Sequence, residues 1–283
     1  SKEYEKAALS FRKFIGGKVS DVKLTDDANL RLGDCYFMTR DYQEAITFYR
    51  KAGNARVPDA DYAVYQTAIA YGVLGDLQQK NVFLLKLLSD FKKSNYTDDA
   101  LYELGNSLTI LNRDAEALTY FQRVVKEHPR STFVKKSLLK TGLIYFNQNK
   151  DSEALATLQR VVKEYPGTPE ASEALASIKS IYVEMNEVDQ YIEFSKQLPT
   201  ASVSRSEQDS LTYSAAENQY MNGDCDKAVT GFTKYLSKFP EGAFVAEANF
   251  YKAECDYRNE KYDQALKGYE FILAQPRTRF TNN

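Results

Sequence analysis

Residues 101–129 read LYELGNSLTILNRDAEALTYFQRVVKEHP, and the rest of the chain follows this pattern. Leu101, Leu104 and Leu108 recur at three- and four-residue spacing, as on the buried face of a helix. Gly105 lies on the same face, where a neighbour must come close. A short polar break leads into a second periodic run built on Ala117 and Phe121, and Pro129 closes it. Two such helices make one antiparallel hairpin. Thirty-seven residues later the pattern returns as Gly142, Tyr145, Ala154, Leu158 and Pro166.

The small residue of each second helix serves as a ruler: Ala7, Ala45, Lys80, Ala117, Ala154, Tyr191, Ala228 and Ala265, spaced 38, 35, and then five times 37. A fixed period of this size is the signature of a stacked repeat array. The fold expected is all-α, a right-handed superhelical solenoid of antiparallel helix hairpins forming one array over 1–283. Residues 1–17 read as the second helix of a truncated repeat, ending at Gly16-Gly17. Repeats follow at 24–58, 61–94, 97–130, 131–167, 168–199, 206–241 and 242–276. Pro276 to Phe280 echoes Pro129 to Phe133 and Pro240 to Phe244, so 277–283 reads as the start of a further repeat.

Two repeats depart from the pattern. Lys80 takes a small-residue position, which predicts that its helix stands off from its neighbour. In 171–198, Lys179 replaces glycine, Tyr191 replaces alanine, Ser195 replaces an aromatic and Pro199 arrives early, followed by a loop-like Thr200 to Ser206. This is the expected hinge or repacked junction, within an array that resumes in phase at Ala228. Ser131 and Thr168 read as N-caps that lengthen the first helices, and the aromatics carried by the extra turn (Tyr96, Phe133, Phe244) are expected to pack on the preceding hairpin.

Composition narrows the function. Lys+Arg 37 against Asp+Glu 39 leaves a formal charge of −2, without the basic stripe that nucleic acid binding requires. No run is long and apolar enough to span a bilayer. His128 is the only histidine and reads as a solvated turn residue. Asp26-Asp27 and Asp98-Asp99 read as helix-start charges meeting the helix dipole. Cys35 and Cys255 fall at one repeat position and read as small buried hydrophobes, and the odd cysteine count suggests no disulfide framework. No catalytic, cofactor-binding or metal-binding set emerges, so a non-enzyme is expected.

With Leu-Gly-x-x-Tyr at 32–36, Ala-x-x-x-Phe at 117–121 and the closing prolines in register, the chain resembles the tetratricopeptide repeat family. The opening tryptophan of that pattern is absent, its place held by Asn29, Val64, Leu101, Leu138, Leu175, Thr212 and Asn249, and the period is longer. The longer period and phrases such as Val162-Lys-Glu-Tyr-Pro resemble the bacterial cell-envelope branch, which includes the outer-membrane assembly lipoprotein and the Tol-Pal coordinator. The resemblance implies a concave groove that binds a partner protein or extended peptide, in the periplasm or at the outer membrane, with a cytoplasmic location as the alternative.

The stripe that lines this groove in the family holds Tyr62, Tyr65, Tyr102, Tyr213, Tyr220, Phe250 and Tyr257, with Tyr251 alongside. It also holds the acids Asp27, Asp34, Asp99, Glu103, Glu217, Glu247 and Glu254. Tyrosines give broad contact area with a polar tip, as protein interfaces use them, but they also suit packing between hairpins. The family's carboxylate clamp needs a lysine where Tyr102 stands and an asparagine matched only by Asn106, so that mode is rejected. An acidic, aromatic groove favours a basic or neutral segment. Alternative expectations are a recruiting or sensory arm of a larger enzyme or signalling protein, and weak self-association through the end repeats. The chain itself reads as cut from a longer one.

Overall fold

The structure is a computed structural model that describes residues 2–17, 21–53, 58–199 and 201–275. Every regular element among them is an α-helix. In order these are α1 (Lys2–Ile15), α2 (Val22–Met38), α3 (Tyr42–Gly53), α4 (Ala60–Val73), α5 (Leu77–Asp90), α6 (Thr97–Ile110), α7 (Asp114–Glu127), α8 (Phe133–Asn147), α9 (Asp151–Glu164), α10 (Pro169–Glu184), α11 (Val188–Lys196), α12 (Arg205–Met221), α13 (Cys225–Lys238), α14 (Val245–Arg258) and α15 (Tyr262–Leu273). They form two compact units, Ser1–Thr141 and Gly142–Asn283. In the first unit, α1 to α7 pack each on the next; in the second, α9 packs on α10, α12 on α13, α13 on α14 and α14 on α15. The division falls inside α8, not in the degenerate repeat. The further repeat expected from Phe280 lies outside the described residues.

One turn makes every hairpin. Arg40, Gly75, Asn112, Asn149, Asn186, Gly223 and Glu260 all take the left-handed conformation, with φ between 56° and 81°. In each case the next amide donates to a carbonyl five residues back, from Asp41 to Tyr36 through Lys261 to Asp256, at 2.8–3.0 Å. This six-to-one bond is the Schellman closure of a helix C-terminus. Glycine and asparagine enter that conformation cheaply, whereas Arg40 and Glu260 are held there by the turn.

Three hairpins close on a large side chain laid over a glycine of the first helix. A Cβ on Gly33 would come within 2.4 Å of the Tyr49 ring, one on Gly105 within 2.5 Å of Phe121, and one on Gly142 within 2.6 Å of Leu158. Ala45, Ala117, Ala154, Ala228 and Ala265 are buried beside these contacts. Lys80 keeps its place without a small side chain. Its stem lies against Gly72, and its ammonium reaches Glu103 at 2.5 Å while the side chain stays 10% exposed, the apolar stem buried and the charge paired.

The expected caps at Ser131 and Thr168 are present: Ser131 Oγ accepts from the Phe133 amide at 3.1 Å and Thr168 Oγ1 from the Ala171 amide at 3.2 Å. Asp98 and Asp99 lie in the first turn of α6. Asp26 and Asp27 do not start a helix, because α2 begins earlier, at Val22, under the N-cap Asp21. Asp27 instead pairs with Arg31 at 3.3 Å.

The reading of Cys255 as an inert buried residue is corrected. Cys225 opens α13 and Cys255 lies on the facing side of α14; their Cα atoms are 5.0 Å apart and the two are joined in a disulfide, within the span such bonds need. Sequence position hid the pair because its partners lie on successive repeats, brought together only by packing. Cys35 is buried and free.

Gly105→Ala is expected to lower the thermal midpoint, at a cost of about 1–3 kcal/mol from overpacking against Phe121. At an exposed helical site the same change gains about 1 kcal/mol, so a raised midpoint by circular dichroism would refute the close approach. Alkylation of the denatured, unreduced chain should mark one cysteine, Cys35, and three after reduction; three before reduction would exclude the Cys225–Cys255 bond.

Candidate functional site

The aromatic residues of the expected groove first serve to join repeats. Tyr65 stacks on Tyr96 with ring centroids 5.1 Å apart, Tyr102 on Phe133 at 4.7 Å and Tyr213 on Phe244 at 4.4 Å. The partner comes thirty-one residues later each time. Each ring on a first helix therefore meets the start of the next first helix, as the positions of Tyr96, Phe133 and Phe244 led one to expect. Stacking at these distances adds about 0.5–1.5 kcal/mol beyond the area buried. Tyr213 is only 4% exposed, closed in by Phe232, Tyr235 and Phe244. It is a core residue rather than a groove contact.

The acids of the same stripe accept hydrogen bonds from these phenols. Asp34 Oδ1 accepts from both Tyr49 and Tyr62 at 2.9 Å. Asp99 accepts from Tyr65 at 3.4 Å, Glu217 from Tyr213 at 2.8 Å and Glu254 from Tyr269 at 2.6 Å. Burial first, and the adjoining carboxylate second, push Tyr49, Tyr62 and Tyr65 well above the ordinary phenol value. Each of these phenols thus stays a donor at neutral pH. Glu103 is held by Lys80.

In the first unit these contacts build one face. Tyr96 lies between Tyr65 and Tyr62, the latter at 5.7 Å and tilted. Burial and the fields of Asp61, Asp59, Asp99 and Asp34 all raise its phenol, so the face carries negative charge beside half-buried rings. Arg31 offsets part of this charge through Asp27 and Asp34, at 3.3 and 3.4 Å. Burial and the neighbouring Asp98 hold Asp99 above the usual aspartate range. Carboxylates around aromatic faces make a receptor for a cationic side chain, since both the charge and the ring quadrupole attract it.

The remaining candidates form a separate group in the second unit. Tyr220 leans on Tyr251 at 4.6 Å, and Arg258 covers its ring at 5.1 Å while donating to its hydroxyl at 3.1 Å. Phe250 meets Tyr251 and Tyr269 edge-on. Tyr257 is 58% exposed and touches Tyr262 at 5.5 Å. It is the one exposed member of the eight. Tyr96, Asp59 and Asp61 were not in the expected stripe, because they belong to the loop and helix start between repeats. Their signal was the recurring aromatic at the helix start.

Among the described residues no helix is long and apolar enough to cross a membrane. No curated protein matches the chain. The crystal structure of MamA protein is similar in fold, with TM-score 0.51 and 19% identity over 70% of this chain and 94% of that one. MamA residues 41 to the end from Desulfovibrio magneticus RS-1 is similar at TM-score 0.50 and 17% identity, over 63% of this chain and 94% of that one. Family models described as tetratricopeptide repeat match residues 99–131, 136–168 and 209–242, and residues 2–61. With more than half of the sequence matched, and with hairpins closed by glycine contacts and Schellman turns at a regular period, the chain belongs to the tetratricopeptide repeat family.

Proposed function

We propose that this protein is a non-enzymatic interaction scaffold that captures a basic, extended segment of a partner protein on the Tyr62, Tyr65 and Tyr96 face, at a bacterial cell envelope. The observation that carries the reading is the Tyr62, Tyr65 and Tyr96 cluster, whose hydroxyls meet Asp34 and Asp99 and whose Tyr96 phenol also feels the charges of Asp59 and Asp61. Among the described residues Arg31 pairs with Asp27 and Asp34, and Lys80 with Glu103. A lysine or arginine side chain laid over Tyr96 gains from both ring and charge. The rings are already stacked on one another, so little side-chain freedom is lost when a partner binds. Tyr220, Phe250, Tyr251 and Tyr257 offer a second aromatic surface on the other unit, with Tyr257 its exposed member.

The envelope location draws support from the Cys225–Cys255 disulfide, because structural disulfides persist in oxidising compartments and are rare in the cytosol. It also accords with the long repeat period.

A fluorescent peptide of alternating arginine and serine is a suitable probe. Asp61→Asn combined with Asp99→Asn should weaken its binding about tenfold at low salt, less as salt rises. Because Asp99 titrates above the ordinary aspartate value, its charge is complete only above that raised pKa. Affinity should therefore fall as pH drops through it, sooner than for a free aspartate. Unchanged affinity in the folded double variant would remove this face from consideration.

A further inference from the structure

The hairpin of α10 and α11 departs from the others, and its departures converge on one pocket. Helix α11 spans nine residues, where α9 and α13 each span fourteen, so more than a turn is missing at its C-terminal end. Ala176 stands at the first-helix position that carries Tyr102 in α6 and Tyr213 in α12. Glu207 stands where Phe133 and Phe244 supply the stacking ring. Both rings of the inter-repeat pair are thus lacking in this repeat. Beside Ala176 lies an open pocket of about 340 Å³, walled by Val162, Ala171, Leu175, Ala176, Leu198 and the ring of Tyr191, with Lys179 as its charged lining residue. Val203 of the following linker packs elsewhere, against Val188, Ile192 and Ala215.

The chemistry of the walls selects an occupant. Ligand pockets commonly hold about 300–1,000 Å³, so this one takes a single ring-sized group. Its apolar surface favours a phenyl or phenol side chain, the group that the chain itself supplies in the repeats of α6 and α12. Lys179 Nζ lies 3.3 Å from Glu207, with the two side chains 38% and 36% exposed. An ion pair so open to water is worth little, and a second carboxylate can share or replace Glu207 at little cost. Charge at the rim therefore favours an acid beside the ring.

We propose that this pocket anchors an aromatic side chain of an extended partner segment in which an aspartate or glutamate adjoins the aromatic residue. The ring takes the place of the missing internal pair on Ala176, and the acid meets Lys179. The inference rests on the interaction-scaffold reading, but it uses the other unit and the opposite charge preference from the Tyr96 face.

The test uses the full chain and labelled peptides carrying Phe-Glu or Phe-Lys in a glycine and serine background, read by fluorescence anisotropy. The Phe-Glu peptide should bind saturably. Ala176→Tyr, which restores a ring, should weaken it about tenfold or more. Lys179→Glu is a surface change that leaves the walls intact, and it should weaken Phe-Glu while strengthening Phe-Lys. Both variants should bind the arginine and serine peptide as the unaltered chain does. Equal Phe-Glu binding by all three proteins, or no saturable binding up to about 1 mM, overturns the pocket assignment. Loss of the arginine and serine interaction in the unaltered chain, with Phe-Glu binding intact, counts instead against the Tyr96 face.

Discussion

Phe121 lies flat on Gly105, and the same contact, Tyr49 on Gly33 and Leu158 on Gly142, recurs along the chain. Neither helix of a hairpin can bury its apolar stripe by itself, and the helices come close enough to share a core only where one of them lacks a side chain. The glycine contact fixes how closely the helices approach, and the left-handed turn after each first helix fixes where the chain reverses.

Contacts between hairpins use a second device. In three repeats a residue at the start of a first helix, the cap residues Tyr96 and Phe244 and the first helical residue Phe133, carries a ring onto the tyrosine of the preceding first helix. These tyrosines join repeats with their rings, and Tyr65 and Tyr213 also hold carboxylates with their hydroxyls. The aromatic face of the first unit is thereby rigid and charged at once, and rigidity is what lets a surface bind without a large ordering cost. Where the pair is missing, at Ala176 and Glu207, the shortened α11 leaves an apolar opening. A departure from the repeat thus coincides with a place where another chain can supply what this one lacks.

The last hairpins are also joined covalently. A disulfide between α13 and α14 closes a contact that the other repeats make by packing alone. In a linear array each repeat is stabilised only by its neighbours, so the bond limits local opening where it sits.

Read alone, the sequence determined the hairpins, their order and the packing aromatics at Tyr96, Phe133 and Phe244. All of these depend on spacing within some 37 residues, which a period makes visible. First helices such as α6 and α14 are no longer than the second helices. The left-handed turn was decided by the structure: asparagine or glycine stands at five of the seven turns, but Arg40 and Glu260 break the pattern. Tertiary structure alone decided which stripe residues are accessible. Tyr220 and Tyr257 hold the same repeat position, thirty-seven residues apart, yet one is half-buried under Arg258 and Tyr251 and the other is exposed, because burial depends on what the neighbouring elements place opposite. The same holds for Cys225 with Cys255, and for the acids that gather about Tyr96. In each case the partners stand on different repeats, and only packing brings them within bonding or Coulombic reach.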